Sequence, residues 1–210
     1  MANDRLHECI RAFEGLGMAS TRHVRASAAL IMPALGLCTA VSAVEFAGGT
    51  GEPNDPYQIA TAEQLIAIGA DPNLPSKHFV LIADIDLSGV TLSHPVVGAF
   101  NGTFDGRGHA ICNLTIRADG RGYVGLFGMI GWAGRISDLH VVDADITASG
   151  RRNYHGVLAG YNDGTLVDCS ATGILVTASN NDGNGLTGSG FGKQTNCRAD
   201  VAIFKVWLGP

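Results

Sequence analysis

From Phe79 onward, apolar and polar residues alternate in short runs broken by glycine, asparagine and aspartate. That is the pattern of brief strands that bury one face. In the run from Phe79 to Leu87, Asp84 and Asp86 fall on one face of a strand and Ile85 and Leu87 on the other. Residues 100–116 then join a tight Asp-Gly turn to a second strand-type run, and this unit recurs in variant form. Ile111-Cys-Asn-Leu-Thr-Ile116 matches Ile136-Ser-Asp-Leu-His-Val141, Leu166-Val-Asp-Cys-Ser-Ala171 and Gln194-Thr-Asn-Cys-Arg-Ala199. The third position is Asn113, Asp138, Asp168 or Asn196, and the fourth is Leu114, Leu139, Cys169 or Cys197. A second marker precedes the last three copies: Gly125-Leu-Phe-Gly128, Val157-Leu-Ala-Gly160 and Gly185-Leu-Thr-Gly188.

Units about 25–30 residues apart, each too small to bury its own apolar face, predict a coiled solenoid. About four to five coils are expected, stacked ~4.8 Å apart. The fourth positions would form an inward column. Asn113, Asp138, Asp168 and Asn196 would form a structural ladder at a corner, where their side chains satisfy turn amides.

Ahead of the repeats, residues 44–78 read as a lead-in. It is turn-rich up to Pro56 and then carries Thr61-Ala-Glu-Gln64, a capping box, before Leu65, Ile66 and Ile68. Gly69 is a natural stop. One short helix here is expected to cap a sheet edge. Residues 1–43 read as an N-terminal extension and signal peptide. Arg22 and Arg25 precede an apolar run that ends in Val41-Ser-Ala43, predicting cleavage after Ala43 and a secreted or cell-surface location. Met18 is a candidate for the true start. The β-helix repeats are assigned to 79–210.

The marker glycines, the segment Phe104-Asp-Gly-Arg-Gly-His-Ala-Ile-Cys-Asn-Leu114, the lead-in from Gly51 to Leu65 and Asp84-Ile-Asp-Leu-Ser-Gly89 together resemble the GLUG-motif repeat proteins of secreted bacterial origin. The resemblance covers about residues 48–200. It implies an all-β fold: a right-handed parallel β-helix shaped like the pectate-lyase group. It also implies a surface or secreted module, often part of a larger adhesin or enzyme, with no shared catalytic residues to transfer. The chain departs from the pattern after Ala199, where an apolar ending replaces the next marker. An open stack end exposing Phe204, Val206 and Trp207 would favour self-association.

Composition changes this picture little. Glycine is abundant at 29 residues, and 46% of residues are hydrophobic, so the chain is not of a disordered type. The net charge of −5, with no basic run, argues against nucleic acid as a partner. No zinc spacing and no Gly-x-Ser-x-Gly elbow occurs. Two Gly-x-Gly-x-x-G matches, at 120–125 and 183–188, precede the repeat marker and read as corners.

Paired carboxylates occur at Asp84/Asp86 and Asp143/Asp145. A polysaccharide lyase, or a bound calcium ion, would need such groups in a cleft. Asp84, Asp86, Arg107 and Arg135 are therefore the catalytic candidates under that reading. The competing expectation is a solvated outer face, with no metal and no cofactor. Cys169 and Cys197 occupy equivalent positions and are expected as reduced, packed thiols. Tyr123, Trp132, Tyr154 and Tyr161 lie in or beside loops and are the ligand-binding candidates, since aromatic faces hold sugar rings.

The sequence thus predicts a non-catalytic repeat module of the cell surface, with adhesion or carbohydrate binding as its role. Its partner would be a polysaccharide or a surface protein. The alternatives are a small pectate-lyase-type enzyme and a fragment of a larger surface protein.

Overall fold

A computed structural model describes residues 44–119, 122–149, 154–178 and 184–206. The leader assigned to 1–43 lies outside the described residues, as do Trp207 and most of the two variable loops.

The repeats form a parallel β-solenoid of four full turns, preceded by a partial one. The first turn runs β5 (Val97–Phe100), β6 (Thr103–Asp105), β7 (Ala110–Cys112) and β8 (Thr115–Ala118). The second has β9 (Phe127–Ile130), β10 (Arg135–Ser137) and the long β11 (His140–Ala148). The third has β12 (Ala159–Asn162), β13 (Thr165–Val167) and β14 (Ser170–Thr177). The fourth has β15 (Thr187–Ser189), β16 (Lys193–Thr195) and β17 (Arg198–Lys205). Ahead of them, β1 (Tyr57–Ile59), β2 (His78–Leu81), β3 (Ile85–Asp86) and β4 (Thr91–Leu92) make the partial turn.

Three parallel sheets result. The first is ordered β1-β2-β6-β10-β13-β16, and the third β5-β9-β12-β15. The second runs β3-β7-β11-β14-β17, with β4 and β8 extending it beside β11. Register builds the core as ladders. Phe79, Phe104, Ile136, Leu166 and Gln194 stand in line across the first sheet. The first four of these are fully buried, and Gln194 ends the column exposed. Phe79, Phe100, Phe104 and Phe127 pack ring to ring at the start of the stack. Each buried phenyl stabilises the fold by roughly 1.5–3 kcal/mol before entropy is counted.

The predicted helix is α1 (Ala62–Ala70), with Thr61 as N-cap and a complete capping box to Gln64. Its Leu65 and Ile68 are buried, and it lies against β5, the edge strand of the third sheet. Gly69 permits this approach, because a Cβ there would be driven into the Val96 carbonyl oxygen.

The corners hold the non-glycine residues with left-handed backbone: Arg107, Asn113, Asp138, Asp143, Asp168 and Asn196, all with φ between 47° and 59°. Asn and Asp tolerate this region best because their short side chains bond locally. Strand register revises the expected ladder. Ser137, Val167 and Thr195 align, so Asp138, Asp168 and Asn196 share one corner, between the first and second sheets. Asn113 does not belong to it. Ile111 aligns with Val141, not Ile136, which places Asn113 at the next corner along, beside Asp143 at the bulge in β11. The second turn has two left-handed corners each followed by an inward residue, Asp138-Leu139 and Asp143-Ala144, so the two kinds of corner look alike in sequence. Leu114 and Leu139 are both fully buried for that reason.

Candidate functional site

The carboxylates singled out as catalytic candidates sit at the solenoid's corners and are engaged there. Asp84 Oδ1 accepts the Ala110 amide at 2.9 Å and faces His109 Nδ1 at 3.0 Å. Asp86 Oδ1 accepts from the Ser88 amide and from Asn113 Nδ2, at 2.9 and 2.7 Å, and its Oδ2 accepts the Ser88 hydroxyl. Burial works against the Asp86 charge, but the hydrogen bonds from Asn113 and Ser88 outweigh it and hold the carboxyl below its ordinary value.

Arg107 is an exposed corner residue whose amide bonds Asp105, and Arg135 lies on β10 of the first sheet. Among the described residues neither arginine pairs with Asp84 or Asp86. Asp145 is bound by Arg117, Nη1 to Oδ1 at 3.0 Å, and the Asp143 amide bonds Thr172 Oγ1. Among the described residues no three His, Cys, Asp or Glu side chains gather as a metal site.

The tyrosines are different, because three that are far apart in sequence meet. Tyr123 and Tyr154 lie with ring centroids 6.1 Å apart and planes 14° from parallel. Tyr161 completes the group at 5.3 Å from Tyr123 and 5.7 Å from Tyr154. Tyr161 points outward from the middle of β12, in register with Met129 and Ser189. The other two arrive on the segments that lead into β9 and β12, which bridge to each other in parallel at Val124 and His155.

The second glycine of the repeat marker makes that arrangement possible. A Cβ on Gly160 would lie 2.5 Å from the Val124 nitrogen and 2.7 Å from the Tyr154 oxygen, so no larger residue could sit under the bridging segment. Tyr123 and Tyr154 are 40% and 37% exposed, so their rings offer surface to solvent while supporting each other.

Burial, then the nearby Asp163 charge, raises the Tyr161 phenol above its ordinary value, so its hydroxyl stays a donor across the physiological range. Trp132 lies apart, 86% exposed on the corner between β9 and β10. The sequence named the four aromatics singly. Their grouping depends on loop lengths that no spacing rule reveals.

Behind the triad, His155 is fully buried, with Nδ1 2.7 Å from Thr177 Oγ1. Its desolvation lowers the imidazole pKa from 6.5 to about 4, so the ring is neutral at physiological pH. Cys169 and Cys197 are free thiols on successive turns. Burial pushes the Cys169 pKa up to about 12.

No protein-family model matches the chain. Two relatives share sequence with it. Halomucin of Haloquadratum walsbyi is 35% identical over 155 residues, which is 67% of this chain and 2% of that protein. A candidate Gly-rich membrane protein of Evansella cellulosilytica is 33% identical over 133 residues, 60% of this chain and 15% of the relative. The chain therefore corresponds to a small part of each. Among solved structures, a candidate immunoglobulin A1 protease from Bacteroides ovatus superposes with a TM-score of 0.58 at 22% identity. That match covers 74% of this chain and 50% of the other, and at this identity the likeness is one of fold.

Proposed function

We propose that this chain is a non-catalytic surface module that holds a glycan on the exposed tyrosine face of its solenoid. The convergence of Tyr123, Tyr154 and Tyr161 carries the reading. Aromatic faces are electron-rich and take the apolar C–H face of a sugar ring, while phenol hydroxyls bond its rim. The carboxylates that a lyase would use are occupied within their corners, which favours binding over cleavage.

On this reading residues 1–43 are an export leader removed after Ala43, and the repeats are of the GLUG kind that their glycine markers resemble. A relative described as a membrane protein supports a place at the cell surface. A glycan array probed with the chain, with Tyr161→Ala as the control, tests the proposal. Retention on the array that disappears in the variant is the expected result. A blank array, or equal retention by both proteins, would sink it. N-terminal sequencing of the exported protein should read Val44 first.

A further inference from the structure

The corner where the third sheet turns into the first carries two features that the tyrosine triad does not use. Trp132 stands on this corner in the second turn and Phe191 in the fourth, 86% and 95% exposed. They are the two most exposed large apolar side chains among the described residues. Between them, in the third turn, the same corner carries Asp163. Strand register shows that these are the same corner, since Ile130 pairs with Asn162 before it, and Arg135, Thr165 and Lys193 stand in line just beyond it.

The corner is rigidly built. Gly192 N donates to the Asn162 carbonyl at 2.8 Å, and Phe191 N to Asp163 Oδ1 at 3.3 Å. A Cβ on Gly192 would lie 2.5 Å from Asn162 Nδ2, so the Gly-Phe-Gly corner is seated directly on the turn below. On the second turn, Gly131 N bonds the Phe100 carbonyl and Gly134 N closes the corner on Gly131. Two aromatic rings are thus held out into water by fixed backbone, where leaving them exposed brings no gain in stability.

Asp163 also joins this corner to the triad. It lies two residues beyond Tyr161, about 6.6 Å at the rise of a strand. Trp132 and Phe191 stand on the same corner two turns apart, and successive turns stack ~4.8 Å apart. Asp163 accepts the Phe191 amide and hydrogen-bonds the Tyr161 phenol, and among the described residues it has no cationic partner, so its two oxygens keep lone pairs for a sugar hydroxyl.

We propose that Trp132, Asp163 and Phe191 form a second saccharide subsite, continuous with the tyrosine triad, so that the site takes a linear oligosaccharide and not a single sugar. This rests on the tyrosine-face reading and extends it. The triad holds one end of the chain. Asp163 accepts from hydroxyls in the middle, and the corner aromatics stack on the rings beyond.

Calorimetric titration of the chain with β-linked glucose, N-acetylglucosamine and galacturonate oligomers, from disaccharide to hexasaccharide, tests it. Affinity should rise about tenfold with length in at least one series, the worth of one or two aromatic contacts. Phe191→Ala should abolish that gain while leaving the disaccharide affinity unchanged. Tyr161→Ala should weaken every length. Phe191 is almost wholly exposed, so its variant will fold, and a thermal melt verifies this. A length-independent affinity, or a gain that survives Phe191→Ala, would overturn the second subsite and leave the triad standing. Absence of binding in all three series would overturn both.

Discussion

The Asn196 side-chain amide donates to the Asp168 carboxylate at 3.0 Å, from one turn of the solenoid to the next. Both residues have left-handed backbone, with φ of 53° and 54°. The corner therefore selects its residue twice, for conformation and for a side chain that can reach its neighbour.

Asp168→Asn should be nearly neutral in a urea titration, since an amide keeps the conformational tolerance and an acceptor oxygen. Asp168→Ala should cost about 1.5–3.5 kcal/mol, the sum of a strained left-handed alanine and a lost hydrogen bond. Asp168→Gly should fall between them. If alanine and asparagine unfold at the same midpoint, the corner does not depend on left-handed tolerance.

Gly69→Ala sets two effects against each other. Alanine is better than glycine in a helix by about 1 kcal/mol. The added Cβ, however, meets the Val96 carbonyl with no room to yield. Overpacking, about 1–3 kcal/mol, should win, with a net loss of up to about 2 kcal/mol. A variant more stable than the parent by differential scanning calorimetry would show that α1 is not pressed against β5.

His155 makes stability depend on pH in a defined window. Its pKa is depressed when folded, so the unfolded chain binds the extra proton between about 4 and 6.5. Stability is fully present above 6.5 and declines as pH falls toward 4, by at most roughly 3 kcal/mol. Carboxylates titrate in part of the same range, so the comparison is with His155→Gln. The variant's stability profile should be flatter between pH 6.5 and 4. Parallel profiles for the two proteins would rule out His155 as the source.

Cys169 should resist maleimide in the native protein at neutral pH, because a buried thiol with a pKa of about 12 offers almost no thiolate. Cys197, half-buried on the last turn, should label first. Peptide mapping by mass spectrometry, with and without denaturant, reads both. Native labelling of Cys169 at the rate of Cys197 would contradict the packing.

Much of the architecture is legible in the residues themselves. The capping box at Thr61 and Gln64, the outward Asp84 and Asp86 and the inward Leu114, Leu139 and Cys169 all follow from period and local chemistry. The register of the first repeat does not. Asn113-Leu114 and Asp138-Leu139 serve two different corners that make the same local demand, a left-handed residue followed by a buried one. Sequence similarity alone aligns them wrongly.

The tyrosine triad is invisible for another reason: its members meet only after loops of unequal length have been closed. Phe191 did leave a signal. Gly190-Phe-Gly192 precedes Lys193 as Gly131-Trp-Ala-Gly134 precedes Arg135, so the two corners could have been matched.

The packing of α1 on β5 gives the stack a direction. A helix offers no row of free amides and carbonyls along its side, so it closes the third sheet to strand addition at that edge. At the opposite edges β15, β16 and β17 each pair with one neighbour among the described residues. Within the third sheet, pairing with another backbone is therefore directed to β15 and away from β5.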